Sequence, residues 1–224
     1  MLSNSNFAHL HIHNEYSQLD GFGSGDTYAR IASEMGFKYL ALTNHGNIDG
    51  CIDWQRSCKK YGIKPIMGCE MYIVPFPATE MKKGYFHITL LVKNKTGWIN
   101  LCKMLSYANL HGFYYKPRID FATLLKHCEG LVVLTGCAQS FLMEQKNDGI
   151  ELLFDLYDKI GEDVYFEVMP HCIEVQEGIN QACLHGWENP DIKIKVVATN
   201  DCHYPEADDW EVQEVMLAIQ RDHK

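Results

Sequence analysis

The segment HLHIHNEYSQLDG, residues 9–21, sets His9, His11 and His13 at alternate positions and places a carboxylate, Asp20, shortly after them. In an extended strand residues two apart share a face, so the three imidazoles line one side while Leu10 and Ile12 line the other. A solitary histidine is most often a hydrogen-bonded core or surface residue. Three within five positions make a poor core, because neutral imidazoles packed together gain little. A divalent cation, by contrast, is satisfied by several imidazole nitrogens at short range.

Elements must exist that position such a set. Short apolar runs alternate with amphipathic segments of helical length along the chain. The runs predict strands over 7–13, 38–45, 64–74, 86–94, 130–137, 164–171 and 195–204. Helices are expected over 26–36, 48–62, 96–109, 120–128, 148–161 and 175–189, with a last one over 205–221 that opens on Pro205 and acidic residues, as a helix start should. Each intervening segment is long enough to carry the chain back over a sheet, which predicts parallel pairing. The residues at the ends of these runs are nearly all metal-capable: His13, His45, Glu70 just inside its run, Cys137, His171, then Asp201 and His203. In a parallel barrel the C-terminal strand ends meet at one mouth, so residues distant in sequence converge there. His87 is the exception, because it opens its run. Either that strand begins earlier, or the residue points in from a loop.

Bulk properties narrow the class. The 224 residues suit one domain with a core that needs no staples. No run approaches the roughly 20 apolar residues of a membrane span, and MLSNSNFAHL has neither a basic start nor an apolar stretch. A cytoplasmic protein without membrane contact is expected. Nine cysteines, scattered without a CxxC pair, fit a reducing compartment. A net charge of −9 argues against stand-alone tight binding of nucleic acid. The nearest basic clusters are Lys82-Lys83, which reads as a solvated loop, and Lys116 with Arg118.

The motifs HLHIHNEYSQLDG, ALTNHGN, KPIMGCEMY, FHITLLVKN, FYYKPRID, LVVLTGC and ATNDCHY, in this order and spacing, resemble the PHP (polymerase and histidinol phosphatase) domain. Within it they are most similar to the branch found at the N-terminus of bacterial replicative DNA polymerase III alpha subunits. The resemblance covers essentially the whole chain, 1–224, as a single PHP domain. It implies an α/β fold, a distorted TIM-like (β/α)7 barrel, with up to three divalent ions (Zn2+, Mn2+ or Fe2+) clustered at the C-terminal mouth of the strands. The ligand positions it implies are His11, His13, Asp20, His45, Glu70, His87, Cys137, Asp201 and His203. One ion would take His11, His13, Glu70 and Asp201. A second would take Glu70, His87 and Cys137, so that Glu70 bridges, and a third Asp20, His45 and His203.

Mixed imidazole, carboxylate and thiolate ligands suit zinc, and manganese or iron where soft ligands are few. Ions at close range share a hydroxide that attacks a phosphoester while the ions neutralise its oxygens. In that scheme Asp201 orients or deprotonates the water, and Cys137 is a ligand, not a nucleophile. For His9 the resemblance supplies no role, which leaves a core or supporting histidine beneath the ligands. His111, His127, His185 and His223 fit no motif and are expected at the surface. His171 is a candidate to touch substrate. Lys116 and Arg118 are candidates to meet a phosphate, Arg118 having the alternative of pairing with Asp120 or another carboxylate. One departure stands out: Thr43-Asn44-His45 replaces the usual Thr-Asp-His, so a neutral amide takes the place of a carboxylate.

Three functions are compatible. The first is a metal-dependent phosphoesterase acting as a 3′ to 5′ exonuclease on DNA ends. The second is a non-catalytic module that supports a polymerase chain or docks a proofreading subunit. The third is a small-molecule phosphatase of the histidinol phosphatase type. Palm, fingers and thumb regions are not expected within these 224 residues, nor is polymerisation by them alone.

Overall fold

The computed structural model describes residues 7–143 and 148–221, so His223 lies outside the described residues. The chain forms two compact units, Met1–Cys69 with Asn200–Lys224, and Glu70–Thr199.

In the first unit, Ser24 caps α1 (Gly25–Glu34) by accepting a hydrogen bond from the Thr27 amide. The helix buries Tyr28, Ala29 and Ala32, the spacing of one apolar face. β1 (Tyr39–Leu42) and α2 (Cys51–Lys60) follow, and Trp54 and Cys58 of α2 meet the α1 face together with Ile12, Leu40, Leu42 and Ile63. Trp54 is fully buried, and truncations of this kind cost about 3–5 kcal/mol. β1 pairs in parallel with the first half of β2 (Lys64–Val74), from Tyr39↔Lys64 to Leu42↔Met67. The strand expected over 7–13 is extended chain held by two isolated parallel bridges, His9↔Leu40 and Ile12↔Cys202.

The second unit carries the rest of β2, then β3 (Phe86–Val92), α3 (Lys95–Leu110), β4 (Phe113–Tyr114), β5 (Lys116–Asp120), α4 (Phe121–His127) and β6 (Leu131–Leu134). After them come α5 (Asp148–Ile160), β7 (Val164–Val168), α6 (Glu174–Glu188) and β8 (Lys195–Ala198). The strand order is β4-β5-β2-β3-β6-β7-β8, with β1 also paired to β2. This is an α/β fold, as the alternation of runs implied. Back in the first unit, a short 3-10 turn (Ala207–Asp209) leads into α7 (Trp210–Gln220) where the sequence predicted the last helix.

The expectation of uniformly parallel pairing is corrected. β2–β5, β6–β7 and β7–β8 are parallel, but β3–β6 and β4–β5 are antiparallel. No helix stands between β2 and β3, so nothing returns the chain over the sheet and β3 reverses direction. β4 and β5 have no counterpart among the predicted strands, because a two-residue arm and an internal Pro117 leave no period to read. Among the described residues no helix is long and apolar enough to cross a membrane.

Candidate metal centre

In the first unit, residues 11–13 run alongside 201–203. The His13 amide donates to the Cys202 carbonyl at 2.7 Å, and the Cys202 amide donates to the His11 carbonyl at 3.1 Å. Asp201 adopts a left-handed backbone, φ 45°, which Asp tolerates better than most side chains. One of its oxygens, Oδ1, then lies 3.2 Å from His11 Nε2, 3.3 Å from His13 Nε2 and 3.6 Å from His203 Nδ1. Both His11 and His13 are fully buried. A second grouping is centred on Asp20 Oδ2, 2.8 Å from His45 Nε2 and 3.5 Å from His203 Nε2. Donor atoms of His13, His45 and His203 all lie within 4.8 Å of one another. Burial alone would raise the Asp20 carboxyl. Hydrogen bonds from His203 and His45 outweigh it and hold the group well below the usual carboxylate range.

A polar network beneath these residues assigns the His13 tautomer. Asn44 Nδ2 donates to Asn14 Oδ1 at 2.8 Å, which turns Asn44 Oδ1 toward the Asn14 amide and Ser17. The Ser17 hydroxyl donates to that oxygen at 3.0 Å, so it accepts from His13 Nδ1 at 2.8 Å and from the His45 amide at 3.2 Å. The His13 proton is therefore on Nδ1, and Nε2 turns its lone pair toward the Asp201 side. His203 also donates from Nδ1 to the Asp201 carbonyl at 2.9 Å. The loop that carries Asp20 closes at Gly21, where a Cβ would run into the Asn14 carbonyl.

The second unit brings together three donors from separate elements. Glu70 Oε1 lies 3.1 Å from His87 Nδ1 and 3.3 Å from Cys137 Sγ, and Cys137 Sγ lies 3.5 Å from His87 Nδ1. Glu70 is fully buried on β2, and His87 and Cys137 are nearly so. The antiparallel run of β3 explains the misplaced histidine: its first residues lie beside the last residues of β6, with Thr89 opposite Leu134. His87 therefore sits at the same end as Cys137 because its strand points the other way. Gly136, at φ 88°, turns the chain into Cys137. The Gly136 amide is fixed by Glu167, a buried carboxylate that also accepts from Thr199 at 2.6 Å.

Donor type and spacing test whether a divalent ion fits. Ligand atoms roughly 2.0–2.3 Å from a common tetrahedral ion lie about 3.3–3.8 Å from each other. The Asp201 contacts and the Glu70–His87–Cys137 triangle have that scale, and the donors are imidazole, carboxylate and thiol. Both groups fit a divalent metal. The oxygen- and nitrogen-only set of the first unit suits harder ions, whereas the sulfur of the second favours zinc.

The remaining predicted residues divide. Lys116 places its ammonium 5.3 Å from the centre of the Tyr72 ring, and Tyr72 is edge-on to His87 at 5.2 Å. Arg118 is a correction. It is 1% exposed, and its guanidinium donates to the carbonyls of Lys82, Glu80, Ala78 and Gly112 at 2.6, 2.9, 3.2 and 3.3 Å. With its donors committed to the 78–82 loop it has no reach to a phosphate. Asp120, its alternative partner, instead caps α4 through the Thr123 amide and receives the Ala78 amide. His171 is half-buried in the loop past β7, not at a strand end. The Met169 backbone is taken up by the Asn180 side chain, and Pro170 has no amide to extend the ladder.

His9 packs against Phe7 and Phe37 at 4.9 and 5.1 Å, and burial lowers its pKa. His111 and His185 are exposed, and His127 is half-buried. Sequence reading missed Ser17, Asn14 and Glu167. Only Glu167 left a signal, as a lone carboxylate within the apolar run VYFEV.

The profile of the PHP domain family matches residues 9–171. The chain is 37% identical over 234 residues to the DNA polymerase III subunit alpha of Treponema pallidum, covering 97% of this chain and 19% of that protein. Against the Thermus aquaticus subunit it is 35% identical over 233 residues, covering 98% and 19%. The chain thus spans about a fifth of the length of these relatives. Among solved structures, its fold is similar to a protein named for metal-dependent phosphoesterase activity from Bifidobacterium adolescentis, with TM-score 0.60 at 11% identity over 93% of this chain and 96% of that one. An amidohydrolase from Chromobacterium violaceum has TM-score 0.57 at 13% identity over 93% and 96%. With the family profile matched over most of its length and these donors at its strand ends, the chain belongs to the PHP domain family.

Proposed function

We propose that this chain is a metal-dependent phosphoesterase domain of a DNA polymerase III alpha-type protein, hydrolysing phosphodiesters at DNA 3′ ends. The observation that carries the reading is the Glu70–His87–Cys137 triangle, three buried donors from three elements within 3.5 Å of one another. A hydrogen-bonded core has little use for a thiol and a carboxylate brought together on one imidazole. Asp201 and its histidines support the reading with a second donor group, and the alpha-subunit relatives supply the DNA context.

In this reading His11, His13, Asp20, His45, Asp201 and His203 hold divalent ions in the first unit, and Glu70, His87 and Cys137 do so in the second. Bound ions would supply Lewis acidity toward a phosphoester and lower the pKa of water. The chain's own residues do the positioning. Ser17 keeps the His13 proton on Nδ1, and the Asp201 carbonyl does the same for His203. The Asp201 carboxylate orients the attacking water and accepts its proton. Glu70 presents a fully buried carboxylate whose orientation is shared with His87 and Cys137.

The test is metal analysis of purified protein followed by a time course on a 5′-labelled single strand, with a chromogenic phosphomonoester and phosphodiester in parallel. A ladder of shortened strands is the expected result. Release from the monoester alone selects a small-molecule phosphatase. No hydrolysis after manganese or zinc is added back leaves the module that supports a polymerase or docks a proofreading subunit.

A further inference from the structure

Beside the Glu70–His87–Cys137 triangle, the second unit has a cleft of about 290 Å³ lined by Lys83, Gly84, Tyr85, Tyr114 and Tyr115. Its chemistry is aromatic and cationic in a chain whose net charge is −9. Tyr85 stacks in parallel on the His87 imidazole, centroids 5.8 Å apart and planes 4° apart. Tyr114 and Tyr115 meet edge to face at 4.7 Å, and the Lys83 ammonium lies 5.9 Å from the centre of the Tyr115 ring. Lys116, over Tyr72, adds a second cation on the same array, and Tyr72 in turn touches Tyr85 at 4.9 Å.

Two features show that this array is held in place and open to a ligand. Tyr115 forms the apex between β4 and β5 with a left-handed backbone, φ 63°, a conformation unfavourable for a bulky side chain. The residue is nonetheless 69% exposed, so burial does not explain the arrangement. Arg118 supplies the rigidity: it ties down the carbonyls of Ala78, Glu80 and Lys82 just before the Lys83–Tyr85 wall and lies 5.3 Å from the Tyr114 ring. Arg118, one of the two residues predicted to meet a phosphate, instead builds the cleft.

We infer that this cleft is the strand-binding subsite of the phosphoesterase, where bases of single-stranded DNA stack on Tyr115, Tyr114 and Tyr85 while Lys83 and Lys116 meet the backbone phosphates. Every base has a π-face, so tyrosine stacking accepts any sequence, and lysines next to the rings provide the backbone's counter-charge. A small phosphomonoester carries at most one ring system and one phosphate, too little to occupy three tyrosines and two lysines together. The inference rests on the reading of Glu70, His87 and Cys137 as part of a hydrolytic centre, since the Tyr85–His87 stack places the cleft beside it.

The test measures the affinity of a fluorescein-labelled, phosphorothioate-linked oligothymidylate by anisotropy in manganese buffer. Tyr115→Ala is expected to raise Kd about ten-fold, and Tyr115→Phe to retain wild-type binding. Lys83→Ala should reduce the slope of log Kd against log salt by about 0.7. An unchanged Kd in Tyr115→Ala, or no binding by the wild-type protein, overturns the subsite. Hydrolysis of a chromogenic phosphodiester by the wild-type protein is measured in parallel. Its failure together with a Tyr115-dependent Kd removes the hydrolytic reading and keeps the strand-binding cleft. Its success with an unchanged Kd keeps the hydrolysis and removes the cleft.

Discussion

The two donor groups are built by opposite means. In the first unit, nitrogen and oxygen donors come from residues 11–13, Asp20, His45 and 201–203, and side chains orient them: Asn14 fixes Asn44, Asn44 fixes Ser17, and Ser17 fixes His13. In the second, a carboxylate, an imidazole and a thiol come from β2, the start of β3 and the turn after β6, and strand direction brings them together. The lesson is that one group depends on a chain of side-chain hydrogen bonds that a single substitution breaks, while the other depends mainly on the strand ladder, with Glu167 holding the turn before Cys137. Their ligand chemistry diverges as well, since only the second offers sulfur.

That contrast can be broken most severely at its centres. Asp201→Asn should lower hydrolysis by at least about 100-fold with an unchanged circular dichroism spectrum, because it removes the charge that His11 and His13 share. Cys137→Ser should lower the zinc retained by purified protein while manganese-supported turnover survives better. Equal loss with both metals would show that the sulfur confers no selectivity.

Arg118→Ala should destabilise the protein by about 2–4 kcal/mol in urea unfolding, because buried carbonyls lose their donors as a large side chain is deleted. A change below 1 kcal/mol would mean that the 78–82 loop does not depend on it. Ser17→Ala should weaken metal binding in the first unit about ten-fold by releasing the His13 tautomer, and leave the stability of the strand ladder in the second unaltered. His9→Ala has the smallest expected effect, a loss of about 1 kcal/mol from its contacts with Phe7 and Phe37, with metal content unchanged. Metal loss equal to that of His11→Ala would place His9 among the ligands.

The Asn44 departure also acquires a physical meaning. Asn44 touches the Ser17 hydroxyl and the Asn14 amide side chain, and needs both a donor and an acceptor to do so. A carboxylate would supply only the acceptor. The neutral amide is therefore suited to the partner it has in this chain, with its influence directed to His13 through Ser17.

Much was legible in the sequence. Periodicity placed β2 and most helices within a few residues, since an amphipathic face and a cap are local properties. Donor types at the run ends were legible too, because imidazole, thiol and carboxylate are rare in apolar strands. Arg118 was misjudged because a basic side chain in a loop motif reads the same whether it faces solvent or a ring of carbonyls. Tyr115 carried no signal, for its left-handed backbone arises from the turn between β4 and β5.

By itself the sequence determined the α/β class, which follows from local period, and the family, which follows from its ordered motifs; the ligand roles of the donors are what the resemblance to that family implies. Only the tertiary structure decided that the start of β3, where His87 sits, lies beside the C-terminal end of β6, which nitrogen of His13 carries the proton, and whether Arg118 faces a ligand or a loop. These depend on strand direction, on hydrogen-bond partners 27 to 40 residues apart in the chain, and on burial, none of which a linear pattern encodes.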